Sequence, residues 1–221
     1  MPQFESLWAG GPVFAQAEHF RMGTDSILLA HFAAARGRNA IDLGCASGII
    51  GVLMLANDPK LHVTGLEIVP EAAELARENL RVSGFDERSR VGCGDLREHR
   101  LLVTAGSGKA PQDAGRAAAR GELSCTLEDV CTAAAFLCRT GGSFYIVHKP
   151  ERLAELMCCM SAHGLEPKRM RMVCHMTGAA PNLLLVEGRR GAKPGMRIEP
   201  ALILREAGGS ETEEIRRIYH R

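Results

Sequence analysis

Residues 39–56 read NAIDLGCASGIIGVLMLA, and their pattern decides the fold class. A short apolar run ends at Asp42, the chain breaks between Gly44 and Gly48, and a longer apolar segment follows. The first part has the length of a buried strand, the last that of a helix packed along most of its length. Glycines where a strand turns into a helix allow a tight turn and a close ligand approach to the backbone. A dinucleotide-binding turn needs G-x-G-x-x-G; counted from Gly44, the later two positions hold Ala46 and Ile49. The pattern is instead acid-x-Gly-x-x-x-Gly. A carboxylate at a strand tip repels a pyrophosphate and suits a ligand that carries positive charge. A tight turn with no ligand is the plain alternative.

The neighbouring segments alternate in the same way. A helix is expected from Gly23-Thr24-Asp25-Ser26, capped by a hydroxyl or carboxylate, to Gly37. LHVTGLEI (61–68) reads as a second strand. PEAAELARENLRVSG (70–84) is the best-signposted helix, with Pro70 at its start, Glu71 and Glu74 in its first turn, Arg77 and Arg81 later and Gly84 closing it. SRVGCG (89–94) is a third strand. Thr126 and Asp129 form a capping box for a helix to Arg139. SFYIVH (143–148) is a strand, PERLAELMCCMSAHG (150–164) a helix, and KRMRMVCH (168–175) and NLLLVEGR (182–189) an antiparallel pair. The tail from Gly191 reads as a basic loop that ends in a short polar helix. Alternating strands and helices imply a mostly parallel sheet covered on both faces, whose ligands bind at the carboxyl ends of the strands.

At 221 residues without internal repeats, one domain is expected: an N-terminal extension and helix over 1–37, a sheet over 38–188 and a basic tail over 189–221. Lys and Arg number 27 against 26 acidic residues, so any nucleic-acid binding must come from a local patch. No apolar run is long enough to span a membrane and the N-terminus lacks signal-peptide character, so a cytoplasmic protein is expected. The eight cysteines form no C-x-x-C pair, which argues for small buried hydrophobes and against a metal.

Two further acids fall at strand tips. Glu67 ends the second strand, where a carboxylate can accept from both ribose hydroxyls; Asp95 follows the third, where it can accept from the exocyclic amine of a purine. Each acid alone could simply face water. Together the three describe a pocket for an adenosine joined to a cationic group, without phosphates. The set resembles the class I methyltransferases that use S-adenosylmethionine, and more closely the tRNA1(Val) N6-adenine methyltransferase group. The matching segments are MGTDSILLAHF (22–32), IDLGCASGIIG (41–51), GLEIVPEAAELARENL (65–80), GDLRE (94–98), CTLEDV (125–130), VHKPERLAEL (147–156) and APNLLLVEGRRGAKPG (180–195). The resemblance implies a Rossmann-like α/β sheet, mostly parallel with a C-terminal antiparallel pair. It also implies cofactor contacts at Asp42, Gly44 and Gly48 for the methionine end, Glu67 for the ribose and Asp95 for the adenine. Asp25 would close the pocket from the N-terminal side. Ala46 stands where that group usually has glycine.

One part of the pattern is absent. Methyltransferases of this group carry Asn-Pro-Pro-Tyr or a near variant at the tip of the fourth strand. The adenine amine is a poor nucleophile because its lone pair is delocalised into the ring. A side-chain amide and a backbone carbonyl accept its protons while an aromatic ring stacks on the flipped base. No such tetrapeptide occurs in the 221 residues. Nor is there room for the strand that would carry it. In the expected order 3-2-1-4-5 the chain must travel roughly 14 Å sideways, at about 4.8 Å per strand. It must also return by about 17 Å, a typical strand length. That vector, about 22 Å, exceeds the roughly 20 Å that six extended steps from Asp95 to Leu101 can span. The fourth strand is therefore missing, or LLVT (101–104) serves as a makeshift one. Either residues between Asp95 and Gly106 are absent from this sequence, or the protein has lost the segment.

LLVTAGSGKAPQ (101–112) resembles a phosphate loop only at first sight: Val103 stands where its first glycine belongs, and Ala110 where Ser or Thr must hold magnesium. By the resemblance it lies on the substrate side, with Lys109, Arg116 and Arg120 as candidate contacts to tRNA. Lys168, Arg169, Arg171, Arg189, Arg190, Lys193 and Arg197 form the densest basic region, which could track an RNA backbone or be a solvated face. The expected function is methyl transfer to N6 of an adenine in tRNA. A catalytically impaired cofactor- or RNA-binding relative is the alternative, with protein glutamine methylation ranked below both.

Overall fold

The computed structural model describes residues 3–16, 22–33, 37–99 and 125–221. A short hairpin, β1 (Phe4–Ser6) and β2 (Val13–Ala15), opens the chain. Helix α1 (Thr24–Phe32) follows, then β3 (Asn39–Leu43), α2 (Ile49–Asn57), β4 (His62–Glu67), α3 (Pro70–Val82) and β5 (Ser89–Cys93). Strands β3, β4 and β5 form a parallel sheet with β4 in the middle, and Leu43 stands opposite Leu66, Glu67 opposite Cys93. Helix α3 buries Ala72, Ala73, Leu75, Ala76, Asn79 and Leu80, an i, i+3, i+4 stripe that fixes which face meets the sheet.

The second half contains α4 (Leu127–Leu137), β6 (Ser143–His148), α5 (Leu153–Ala162), β7 (Leu165–Met176), β8 (Pro181–Arg190), β9 (Arg197–Ile198), β10 (Leu202–Arg205) and α6 (Glu213–Ile218). The expected capping box is present: the Thr126 hydroxyl accepts from the Asp129 amide at 3.1 Å, and the Asp129 carboxylate accepts from the Thr126 amide at 2.9 Å. Strand β8 pairs antiparallel with β7, as expected, and also with β6, while β9 and β10 add parallel to β7. The tail is thus more ordered than a basic loop. Thr212 caps α6, whose Ile215 and Ile218 are buried in the main core.

Among the described residues the two sheets do not join. No strand there pairs with β3 on the side away from β4, nor with β6 on the side away from β8. In the order the resemblance implies, the fourth strand stands between these edges; LLVT lies outside the described residues. On β3, Ile41 is 45 % exposed on the face opposite Ala40 and Asp42.

Helix α1 bridges the halves. Phe32 meets Tyr145 of β6 edge-on, with centroids 6.2 Å apart, and the Arg169 guanidinium lies 3.8 Å above the Phe32 ring while donating to the Phe32 carbonyl at 2.7 Å. The main apolar core also crosses the divide, from Ile49, Val52 and Val63 to Val173, Leu185 and Leu202. The cysteine expectation holds in part: Cys45, Cys131 and Cys174 are buried, whereas Cys125 and Cys158 are exposed. No helix among the described residues is long and apolar enough to cross a membrane.

Candidate functional site

The carboxyl ends of β3, β4 and β5 converge, and Glu67 stitches them together. Its Oε2 accepts from the Ala46 amide at 2.8 Å and its Oε1 from the Val69 amide at 2.9 Å. Its carbonyl accepts from Gly94, beyond β5, at 2.9 Å. The residue is buried, so these bonds offset the cost of taking a carboxylate out of water. The Leu66 carbonyl accepts from both Gly44 and Cys45. Three tips are thereby held in one arrangement by backbone groups around a single acid.

The turn after β3 is unusual in its dihedrals. Gly44, Ala46 and Gly48 all have positive φ, at 75°, 46° and 84°. Gly44 has open space where a side chain would be, so its conformation alone calls for glycine. Gly48 is doubly constrained, because a Cβ there would stand 3.1 Å from that of Ala76. Ala46 adopts the left-handed region with a Cβ, at a cost of about 1 kcal/mol, and the bond from its amide to Glu67 holds it there.

Asp42 differs from Glu67. Its Oδ2 is buried and has no hydrogen-bond partner among the described residues. Burial, and then the neighbouring Glu67 carboxylate, push the Asp42 carboxyl up to about 7. The adjacent Cys45 thiol is raised as well, by burial and then by these two acids. An unpartnered buried oxygen at a strand tip is poised for a cation or a donor, since such groups are otherwise satisfied in folded proteins.

Asp95 caps a one-turn 3-10 helix, Leu96–Glu98, accepting from the Arg97 amide at 2.9 Å. Its carboxylate also takes a two-pronged pair from the Arg97 guanidinium, which holds it below the usual carboxylate range. A cleft of about 70 Å³ runs between Gly44, Leu66, Ile68, Gly94, Asp95 and Arg97. The structure therefore brings together Asp42, Gly44, Gly48, Glu67 and Asp95. Asp25 is not joined to them: it is exposed, and its Oδ1 accepts from its neighbour Ser26 at 2.9 Å. The expected side-chain cap of α1 is also absent; Gly23 is the N-cap, and a Cβ there would collide with Asp25 Oδ1. Lys109, Arg116 and Arg120 lie outside the described residues.

Comparison with known proteins now bears on this geometry. Residues 7–101 match the family model described as a methyltransferase small domain. A Tolumonas auensis protein named tRNA1(Val) (adenine(37)-N6)-methyltransferase is 30 % identical over 207 residues, covering 88 % of this chain and 86 % of the relative. The chain belongs to this tRNA1(Val) (adenine(37)-N6)-methyltransferase family. A Porphyromonas gingivalis protein of the same name is 29 % identical over 190 residues, which cover 76 % of this chain and 74 % of the relative. A solved Agrobacterium tumefaciens structure named as a predicted O-methyltransferase has a TM-score of 0.70 at 22 % identity, covering 89 % of this chain and 96 % of its own, and shows the shared fold. The protein is thus a methyltransferase whose methyl donor is S-adenosylmethionine.

Two residues of the site were not evident from the sequence. Arg97 occupies the carboxylate of Asp95, and Asn79 lies at the back of the glycine turn. The basic region also reads differently in three dimensions. Arg169 pairs with buried Glu187 and Arg171 with Glu214, Arg190 donates to the His163 carbonyl, and Lys168 to the Lys193 carbonyl. Much of that charge is engaged within the fold.

Proposed function

We propose that this protein transfers a methyl group from S-adenosylmethionine to N6 of an adenine in tRNA, with its cofactor pocket at the tips of β3, β4 and β5. The observation that carries the reading is Asp42: a buried, unpartnered carboxylate oxygen beside an open, glycine-lined turn fits a ligand that brings its own positive charge. Bound S-adenosylmethionine supplies an electrophilic methyl group. The chain's part is to hold and orient. Asp42, with the turn from Gly44 to Gly48, takes the cationic methionine end. Glu67, already fixed by two amides, keeps a second lone pair on each oxygen for the ribose hydroxyls. Asp95 accepts from the adenine amine once Arg97 yields one of its oxygens.

Support for tRNA as the substrate comes from the names of the relatives at 27 to 30 % identity over most of the chain. A second reading, a cofactor-binding relative that does not turn over, is favoured by two observations. The sequence lacks Asn-Pro-Pro-Tyr, and among the described residues β3 and β6 have free edges where the strand bearing it would stand. Transfer of tritiated methyl to unmodified tRNA separates the two. Label recovered as N6-methyladenine supports the first reading. Tight binding of S-adenosylhomocysteine without transfer supports the second, and no binding at all sinks both. The intact mass of the purified protein across residues 95–107 shows whether the fourth strand has been lost.

A further inference from the structure

Asn79 is fully buried on α3, and its side-chain amide makes three hydrogen bonds, all to neighbours far away in sequence. Its Oδ1 accepts from the Ala15 amide at 2.8 Å, while its Nδ2 donates to the Ala15 carbonyl at 3.0 Å and to the Ser47 carbonyl at 2.9 Å. The first two bonds copy a backbone bridge to strand β2. The third reaches the turn between β3 and α2, one residue after strained Ala46 and one before Gly48. Ser47 and Ala15 are themselves buried, so no water is at hand to replace the amide. Ser83, one turn further along α3, donates to the Val13 carbonyl at 2.7 Å and anchors the same hairpin without touching the turn.

We infer that Asn79 is a positioning residue for cofactor binding, locking the N-terminal hairpin and the glycine turn into one unit so that binding at the turn and docking of the hairpin are coupled. The inference rests on the placement of the cofactor at the strand tips proposed above. An apolar replacement would remove these three bonds, two of them to carbonyls and one to an amide, from buried groups. A side-chain amide offers two donors together with an acceptor oxygen from a single point. Such a network fixes one conformation of the groups it joins. Here those groups are a hairpin and a turn that passes through a left-handed alanine. Helix α3 is the rigid element that carries the link, because its stripe of Ala72, Ala73 and Ala76 lets it sit close to the sheet.

The test compares the native chain with Asn79→Ala and Ser83→Ala, at a temperature where thermal melts show all three folded. Binding of S-adenosylhomocysteine is measured by calorimetry and exchange of the Ala15 amide by NMR. Asn79→Ala should weaken binding about tenfold or more, whereas Ser83→Ala, which loosens the hairpin but spares the turn, should change it less than twofold. In the native chain the ligand should slow exchange at Ala15, and in Asn79→Ala this protection should vanish. Unchanged affinity in a folded Asn79→Ala reduces the residue to a structural role and overturns the inference. If Asn79→Ala does not fold, the native chain decides alone: Ala15 exchange indifferent to the ligand overturns the inference equally. A native chain that binds no S-adenosylhomocysteine refutes the cofactor placement instead, a distinct result.

Discussion

The parallel sheet β3–β4–β5 and the mixed sheet β6–β10 treat their buried acids in opposite ways. In the mixed sheet Glu187 is 1 % exposed and meets the Ser143 hydroxyl at 3.1 Å and the Arg169 guanidinium at 2.9 Å, with Arg189 3.7 Å away. In the parallel sheet Asp42 and Glu67 face each other across the strand tips, and Asp42 Oδ2 has no partner among the described residues. The first acid is answered by cations from its own chain. The second pair is left short of positive charge, which a folded protein tolerates where a ligand completes the set. Partnering, more than burial or residue type, separates architecture from binding in this molecule.

Removing an acid from each sheet should therefore give opposite phenotypes. The largest effect is expected from Glu187→Ala, which strips Arg169 of its buried partner and should cost about 3–5 kcal/mol of stability in urea unfolding. Its affinity for S-adenosylhomocysteine, per folded molecule, should be unchanged; a binding defect of similar size would erase the contrast. Asp42→Asn should do the reverse at pH 8, weakening S-adenosylmethionine by tens of fold (about 2 kcal/mol) by calorimetry with stability kept or raised. At pH 6 native Asp42 is itself mostly protonated, so the advantage of the native chain over the Asp42→Asn variant should shrink to about a few-fold.

The pH dependence of the native chain sharpens this further. Folding raises the carboxyl of Asp42 from about 4 in the unfolded chain to about 7, so the folded state holds the extra proton between those values. This group should then make ligand-free stability fall as pH rises from about 4 to 7 and level off above, because the unfolded chain binds fewer protons there. Affinity for the cationic cofactor should run the other way, declining towards tenfold per pH unit below 7. Calorimetry in buffers of different ionisation enthalpy should record about one proton released on binding at pH 6. The smallest effect belongs to Ala46→Gly. Relief of the left-handed strain should add up to about 1 kcal/mol to stability, read from the urea midpoint, with little change in binding.

Features with local causes were legible in the sequence. Helix α3 was marked by its proline, its charged ends and its closing glycine, the capping box of α4 by Thr126 and Asp129, and the β7–β8 pair by two apolar runs around a turn. The three tip acids could be placed because each lies at or just beyond the end of a recognisable strand. Long-range pairings could not. The hairpin β1–β2 is too short to show periodicity, and β9 and β10 join β7 through contacts about 28 residues apart in register. Arg169 and Arg171 read as surface charge because their partners Glu187 and Glu214 are 18 and 43 residues away. Asn79 had one available signal: a polar residue on the apolar stripe of an otherwise regular amphipathic helix. That signal marks a buried amide, yet it says nothing of what the amide binds.

Among the described residues no strand covers the outer edges of β3 and β6, and this bears on how the molecule comes apart. In a continuous sheet, backbone ladders pass cooperativity from strand to strand. Among the described residues the two halves share no ladder, and they are joined instead by side-chain packing across the core and by the nine residues of α1 with its Phe32, Tyr145 and Arg169 contacts. Packing of that kind yields at lower free energy than hydrogen-bonded strands, so amide exchange should resolve two protection classes with their boundary at α1. The halves would open as separate units, with the tips of β3, β4 and β5 confined to one of them.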